Sequence, residues 1–265
     1  GRVCLLRRAN KKGHDIHRDK TVCASTEDVL TATAQYPDSF IPFLSVNPDR
    51  PNALDLIDEY VERGCKGAKF LQNYWGIDLN NERFLPYYEK LKSKDIPLII
   101  HIGCEYTVQS DPDYERINMI ELPLKAGVTV IAAHMGLGRP NYKLRFWRNL
   151  SRNPDFFDQD YYTLLDKLTS HDNLYADISA ILTPFKARAL RHLSQQTEAH
   201  EKILFGTDFP VPFPIVFNTY DLDISTRLRI NATQNPFDRY IEALFEYFPA
   251  GSAIYSNYRK VLGIT

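Results

Sequence analysis

A chain of 265 residues with 44% hydrophobic content can bury a full core, and barrels of roughly 250 residues commonly form one domain, so a single domain over residues 1–265 is expected. Thirty-two basic against 33 acidic residues leave a formal net charge of -1, which argues against nucleic acid or an anionic membrane as partner. No apolar run approaches the roughly 20 residues of a membrane span, and Cys4, Cys23, Cys65 and Cys104 have neither disulfide-scaffold density nor C-x-x-C spacing, so a reducing, cytoplasmic compartment is expected.

The chain opens on Gly1, followed almost at once by the apolar run Val3-Cys4-Leu5-Leu6, as though inside a fold. From there, short apolar runs alternate with amphipathic stretches, the pattern of repeated βα units around a parallel sheet. Seven strands are predicted, at residues 3–6, 40–46, 67–71, 97–100, 128–133, 174–178 and 203–205. Ser25 followed by Thr26, Glu27 and Asp28 reads as an N-cap for a helix reaching Tyr36. Residues 52–63 form a second helix stopped by Gly64 as its C′ glycine. Further helices are predicted over 84–94, 115–126, 161–168, 184–193, 237–248 and 253–262. Segments 138–160 and 211–235 exceed a minimal βα repeat, and long connections of this kind are substrate loops, lids or surface excursions.

Polar residues recur at the strand ends, with 32 positions from Lys69 to His101, 33 from His101 to His134 and 31 from Asp177 to Asp208. A period near 30 is what one strand, one helix and two loops require. In parallel barrels the βα loops converge on one mouth, so chemistry gathers there. Leu-Ile-Ile-His101, Ile-Ala-Ala-His134 and Leu-Phe-Gly-Thr-Asp208 each place an imidazole or a carboxylate just past an apolar strand. A single histidine in that position is more often a packing residue. Two on successive strands, with an aspartate after the last, favour a site, and their nitrogen and oxygen donors suit zinc, iron or manganese with a position open to water.

Gly67-Ala68-Lys69-Phe70, His101-Ile102-Gly103, Ala133-His134-Met135-Gly136, Tyr175-Ala176-Asp177-Ile178-Ser179 and Phe205-Gly206-Thr207-Asp208-Phe209-Pro210 follow one another in a telling order. Together they resemble the amidohydrolase-related family, metal-dependent hydrolases that include the aminocarboxymuconate-semialdehyde-type decarboxylases. The similarity runs from about Thr26 to the closing Asn257-x-x-Lys260-Val261-Leu262-Gly263. It implies an α/β fold, a TIM-type (β/α)8 barrel, and one divalent metal, zinc foremost with manganese or iron as alternatives. It implies His101 as a metal ligand from the family's fifth strand and Asp208 as ligand or proton shuttle from the eighth. His134, from the sixth, is implied as a second ligand or an acid/base beside the metal. Lys69 ends the fourth strand, where related barrels sometimes hold a carbamylated lysine bridging two metals. Its plainer readings are an ion pair at the mouth, a contact to a substrate carboxylate, or snorkelling to water. Arg139 binds an anionic substrate or is solvated. Asp177 either hydrogen-bonds a histidine or caps the following loop, and Cys104 and Glu105, close behind His101, are candidates to face the pocket.

The chain also departs from the family. A complete member opens with a strand ending in H-x-H, whose two histidines join the later ligands, and no such strand precedes Gly1. His14 and His17 form H-x-x-H in a charged loop and read as surface residues; His171, His192 and His200 are expected to face solvent. The aromatic stretch Phe146, Trp147, Phe156, Phe157, Tyr161 and Tyr162 reads as helix packing or a homodimer contact before a substrate lid. The expected activity is hydrolysis of a small amide, ester or lactone by metal-activated water. Its rivals are non-oxidative decarboxylation of a small aromatic or unsaturated acid and, motivated by the missing H-x-H, an inactive barrel that serves as a binding module. The expected partner is a small-molecule substrate, with any metal weakly held.

Overall fold

Strand and helix periods sort the chain into alternating elements, and the computed structural model describes them over residues 8–9, 15–16, 25–105, 110–138, 157–184, 186–219 and 221–264. Two short strands, β1 (Arg8–Ala9) and β2 (Asp15–Ile16), pair antiparallel. The remaining strands are β3 (Phe43–Leu44), β4 (Gly67–Phe70), β5 (Leu98–His101), β6 (Val130–Ala133), β7 (Leu174–Asp177) and β8 (Ile203–Leu204). They form one all-parallel sheet in sequence order, β3-β4-β5-β6-β7-β8. This is the α/β architecture of a TIM-type barrel, with no pairing between β3 and β8 among the described residues. Six of the seven predicted strands are found, and the first, at residues 3–6, lies outside the described residues. The last is short because Phe205 N–H leaves the sheet and donates to Ile254 O at 2.9 Å.

Register sets which residues share a level. Phe70 pairs with Ile100, Ile100 with Ala132, Ala132 with Ala176 and Ala176 with Ile203. All five belong to the main core, packed against the helices. Because side chains alternate along a strand, Ile99, Ile131, Tyr175 and Leu204 face the other way and form a separate small cluster with Val261. Lys69, level with Ile99, and His101 and Asp177, two residues further along their strands, share that inner face. Ile100→Ala removes a side chain with no exposed surface from the middle of this stack, and is expected to lower stability by about 2–5 kcal/mol, read as a shift in the urea midpoint.

The helices follow their end signals. Ser25 Oγ accepts Asp28 N–H while the Asp28 carboxylate accepts Ser25 N–H, a capping box on Thr26–Ala34. Gly64, at φ +103, ends Ala53–Glu62 as expected. Leu85–Ser93, Gln159–Ser170, Pro236–Phe245 and Asn257–Leu262 also lie where predicted, within a few residues. The predicted helix at 115–126 is instead a 3-10 turn, Ile117–Ile120, followed by a short helix, Glu121–Lys125. Pro123 explains the break: with no N–H it cannot sit in a helix interior, but the first turn needs none. The predicted helix at 184–193 likewise divides into a 3-10 turn, Lys186–Ala189, and Leu190–Gln195. The long segment 211–235 carries two helices of its own, Ile215–Asn218 and Ile224–Ala232. Among the described residues no helix is long and apolar enough to cross a membrane.

Candidate active site

The strand register brings the expected groups to one end of the sheet. His101 pairs with Ala133 and Asp177 with Leu204, so the ends of β5 to β8 lie level and their following loops meet above the inner face. His101 is buried and its Nε2 lies 3.0 Å from Gly103 O. Gln72 Nε2 donates to His101 O at 2.6 Å and to Tyr114 O at 2.7 Å, tying the end of β5 to the loop beyond it. Glu115 fixes the same loop, accepting from Asn73 Nδ2 at 3.1 Å and from Ser110 Oγ at 2.5 Å.

His134 reaches the site by a different route. Strand alternation alone would turn it away from the inner face, but His134, Met135 and Gly136 all have positive φ, at 61°, 55° and 62°. The left-handed region costs a non-glycine residue about 1–2 kcal/mol, so such a turn needs outside support. Asp177 supplies it: Oδ1 accepts His134 N–H at 2.9 Å and Ser179 N–H at 2.9 Å, and the Ser179 hydroxyl as well. The turn sets the His134 ring edge-on to that of His101, centroids 5.0 Å apart, with Nδ1 2.8 Å from Ser179 Oγ. Asp177 thus caps its own loop and meets His134 through the backbone.

Charge is concentrated around these rings. Lys69 on β4 and Lys186 on the turn after β7 are both buried. Among the described residues neither ammonium lies within ion-pair distance of a carboxylate. Burial lowers the pKa of both, opposed by Asp177, Asp208 and Glu105. Asp208, at φ +58 just past β8, is half-buried. Burial pushes its carboxyl up to about 6, against the lowering pull of Lys69. His101 and His134 are held well below the ordinary imidazole value, first by burial and then by the two lysines. Both rings are therefore neutral at pH 7. Glu105 Oε2 stands 4.0 Å from His101 Nε2, and its side chain is largely buried.

Of the expected site residues, the structure gathers Lys69, His101, His134 and Asp208. Arg139, His14 and His17 lie outside the described residues, as do Phe146, Trp147 and Phe156. Burial of Lys69 rules out snorkelling to open water. The three histidines expected to face solvent are half-buried. His192 receives or shares the Tyr161 hydroxyl at 2.8 Å within an aromatic cluster with Phe157 and Tyr162. His200 lies edge-on to Phe248 and bonds Leu193 O at 3.0 Å, and His171 packs back on Lys167 O at 3.2 Å. Phe157, Tyr161 and Tyr162 pack against one another, as helix packing requires. Lys186 and Ser179 were not marked by sequence reasoning as site residues. Lys186 had a signal: it is the first charge after Asp177, directly following the uncharged run Ile181-Leu182-Thr183-Pro184-Phe185 in a βα loop.

A divalent ion of the kind the resemblance implies needs at least three donors from the protein. His101 and His134 come together, but among the described residues no group of three or more His, Cys, Asp or Glu side chains is arranged to hold a metal. The described donor set therefore does not by itself fit that ion.

A model of the amidohydrolase family matches residues 6–218. No curated protein sequence matches the chain. Among solved structures, an uncharacterized TIM-barrel protein from Bordetella bronchiseptica is similar at 17% identity and TM-score 0.58, over 91% of this chain and 73% of its own. A Pseudomonas putida protein described as a candidate 2-pyrone-4,6-dicarboxylic acid hydrolase is similar at 14% identity and TM-score 0.55, over 90% and 77%. A 2,6-dihydroxybenzoate decarboxylase in complex with 2,6-dihydroxybenzoate is similar at 14% identity and TM-score 0.51, over 90% and 75%. These likenesses are of fold. The family match spans well over half of the sequence and contains Lys69, His101, His134, Asp177 and Asp208, and the chain belongs to the amidohydrolase family of enzymes.

Proposed function

We propose that the protein hydrolyses a small amide, ester or lactone, with Asp208 as the base that accepts a proton from the attacking water. The observation that supports it is the setting of Asp208: half-buried at the end of β8, with Lys69 and Lys186 opposing the effect of burial. A carboxyl near 6 is ionised at neutral pH yet more basic than an exposed aspartate, which suits general-base work. The water proton passes to Asp208 as oxygen adds to the carbonyl carbon. The same carboxyl then returns that proton to the departing amine or alcohol. Lys69 and Lys186 stabilise the oxyanion or hold a substrate carboxylate, and Arg139 is proposed to share that binding role. His134, neutral, acts as the second acid/base group beside them. A divalent ion, zinc in the first place, belongs to this reading through family membership alone, and elemental analysis after dialysis tests it. The cytoplasmic location rests on cysteine spacing.

Decarboxylation is the second reading, favoured by one observation, the pair of buried ammonium groups able to hold a carboxylate-bearing ring. Two of the structural neighbours are named for carboxylic acids, one as a candidate 2-pyrone-4,6-dicarboxylic acid hydrolase and one as a 2,6-dihydroxybenzoate decarboxylase. There a protonated Asp208 would deliver its proton to carbon as carbon dioxide leaves.

The sign of the pH dependence separates the two. Hydrolysis needs ionised Asp208, so kcat/KM rises with pH through about 6; decarboxylation by the protonated form falls through the same value. We expect a rise without carbon dioxide release across a panel of small esters, lactones and carboxylic acids. A fall accompanied by carbon dioxide would replace hydrolysis with decarboxylation.

A further inference from the structure

We propose that Ser179 fixes the tautomer of His134, holding the ring proton on Nδ1 and leaving Nε2 as the nitrogen with the lone pair. Nδ1 faces two oxygens of one residue, Ser179 Oγ at 2.8 Å and Ser179 O at 3.1 Å. The carbonyl oxygen can only accept. The hydroxyl has one proton, and the Asp177 carboxylate takes it, so toward His134 the hydroxyl also accepts. Both contacts are satisfied only if Nδ1 carries hydrogen, and a neutral imidazole then has none on Nε2.

The arrangement is closed at both ends. Asp177 Oδ1 accepts the backbone N–H of His134 and that of Ser179, each at 2.9 Å, so the residue that polarises the hydroxyl also positions the histidine it serves. All three groups are buried, which keeps water from offering Nδ1 a competing donor. Gly206 permits the close approach of the serine: a β-carbon there would lie 3.1 Å from Ser179 Cβ. Ser179 is thus a positioning residue, acting on chemistry only through the His134 ring. That the selected nitrogen serves proton transfer rests on the hydrolase reading; the tautomer itself does not.

Long-range 15N–1H correlation spectra of protein labelled with 15N-histidine report the tautomer directly, with His134 assigned by the signal lost in His134→Gln. In the wild type at neutral pH we expect a protonated Nδ1 and an unprotonated Nε2. In Ser179→Ala the backbone oxygen of residue 179 remains as the single acceptor, so the proton should stay largely on Nδ1 with its signal shifted by the weaker bonding, and kcat should fall about tenfold with little change in KM, as for loss of an outer partner of a functional histidine. Ser179→Cys, whose thiol is a weaker donor and acceptor of similar size, should fall between. A wild-type proton on Nε2 overturns the assignment whether or not the protein hydrolyses anything. The expected spectra in a protein without hydrolase activity would uphold the assignment and remove the hydrolase reading.

Discussion

Asp208→Asn is expected to lower turnover by about 10²–10⁴-fold while the fold is retained, the usual worth of a positioned acid/base group. The amide matches the carboxyl in size, and asparagine, like aspartate, tolerates the left-handed backbone that Asp208 adopts at φ +58. What it cannot do is accept a proton from water or return one. Linkage supplies an independent check on folding. Burial raises this carboxyl from 3.8 to about 6, so the folded state binds the proton more tightly than the unfolded chain. The favourable contribution is complete below the unfolded value and is lost as pH rises through about 6, after which ionised Asp208 is a burden on the fold. Asparagine has no such charge. At pH 7 the urea midpoint of the variant should therefore equal or exceed that of the wild type, although its activity is nearly gone. A variant with near wild-type turnover removes Asp208 from the mechanism.

Gly103→Ala is expected to cost on the order of 3 kcal/mol or more, combining backbone strain with overlap at a site that cannot relax. Gly103 has φ +104, and a β-carbon there would stand 2.6 Å from Leu137 O and 2.9 Å from Leu137 C. Both are backbone atoms, so no side-chain rotation relieves the clash. The residue is also held from two sides. Its N–H donates to Glu115 O at 2.8 Å and its carbonyl lies 3.0 Å from His101 Nε2. Relaxation must therefore move the His101 loop or the segment that leaves His134, and activity should fall with stability. Gly64 provides the comparison, since its φ of +103 is nearly the same but a β-carbon would meet nothing within 4 Å. Gly64→Ala should show the conformational cost alone, about 1–2 kcal/mol. Urea unfolding of both variants at an unchanged slope reads the difference. Equal losses at the two glycines would mean that the close approach to Leu137 carries no energetic weight.

Sequence by itself determined the local parts. Apolar runs of strand length, Ser25 as a cap, Gly64 as a stop and a repeat near 30 residues depend on neighbours a few positions apart, and the corresponding elements lie close to where they were read. His101 and Asp177 were legible for the same reason, since strand alternation and register carry them to one face. His134 was legible as a candidate but not in its orientation, because the three positive φ values that turn it depend on an acceptor 43 residues further along the chain. The tertiary structure alone decided which polar groups are deprived of water. His192 and His200, on exposed-looking helix ends, are partly covered by Tyr161 and Phe248. Lys186 becomes a site residue because the turn after β7 folds it beside Asp208, Glu105 and Asp177, and Ser179 because the same loop lays it against His134. Desolvation is a property of everything that surrounds a group in space, and that enclosure is assembled from segments far apart in the chain.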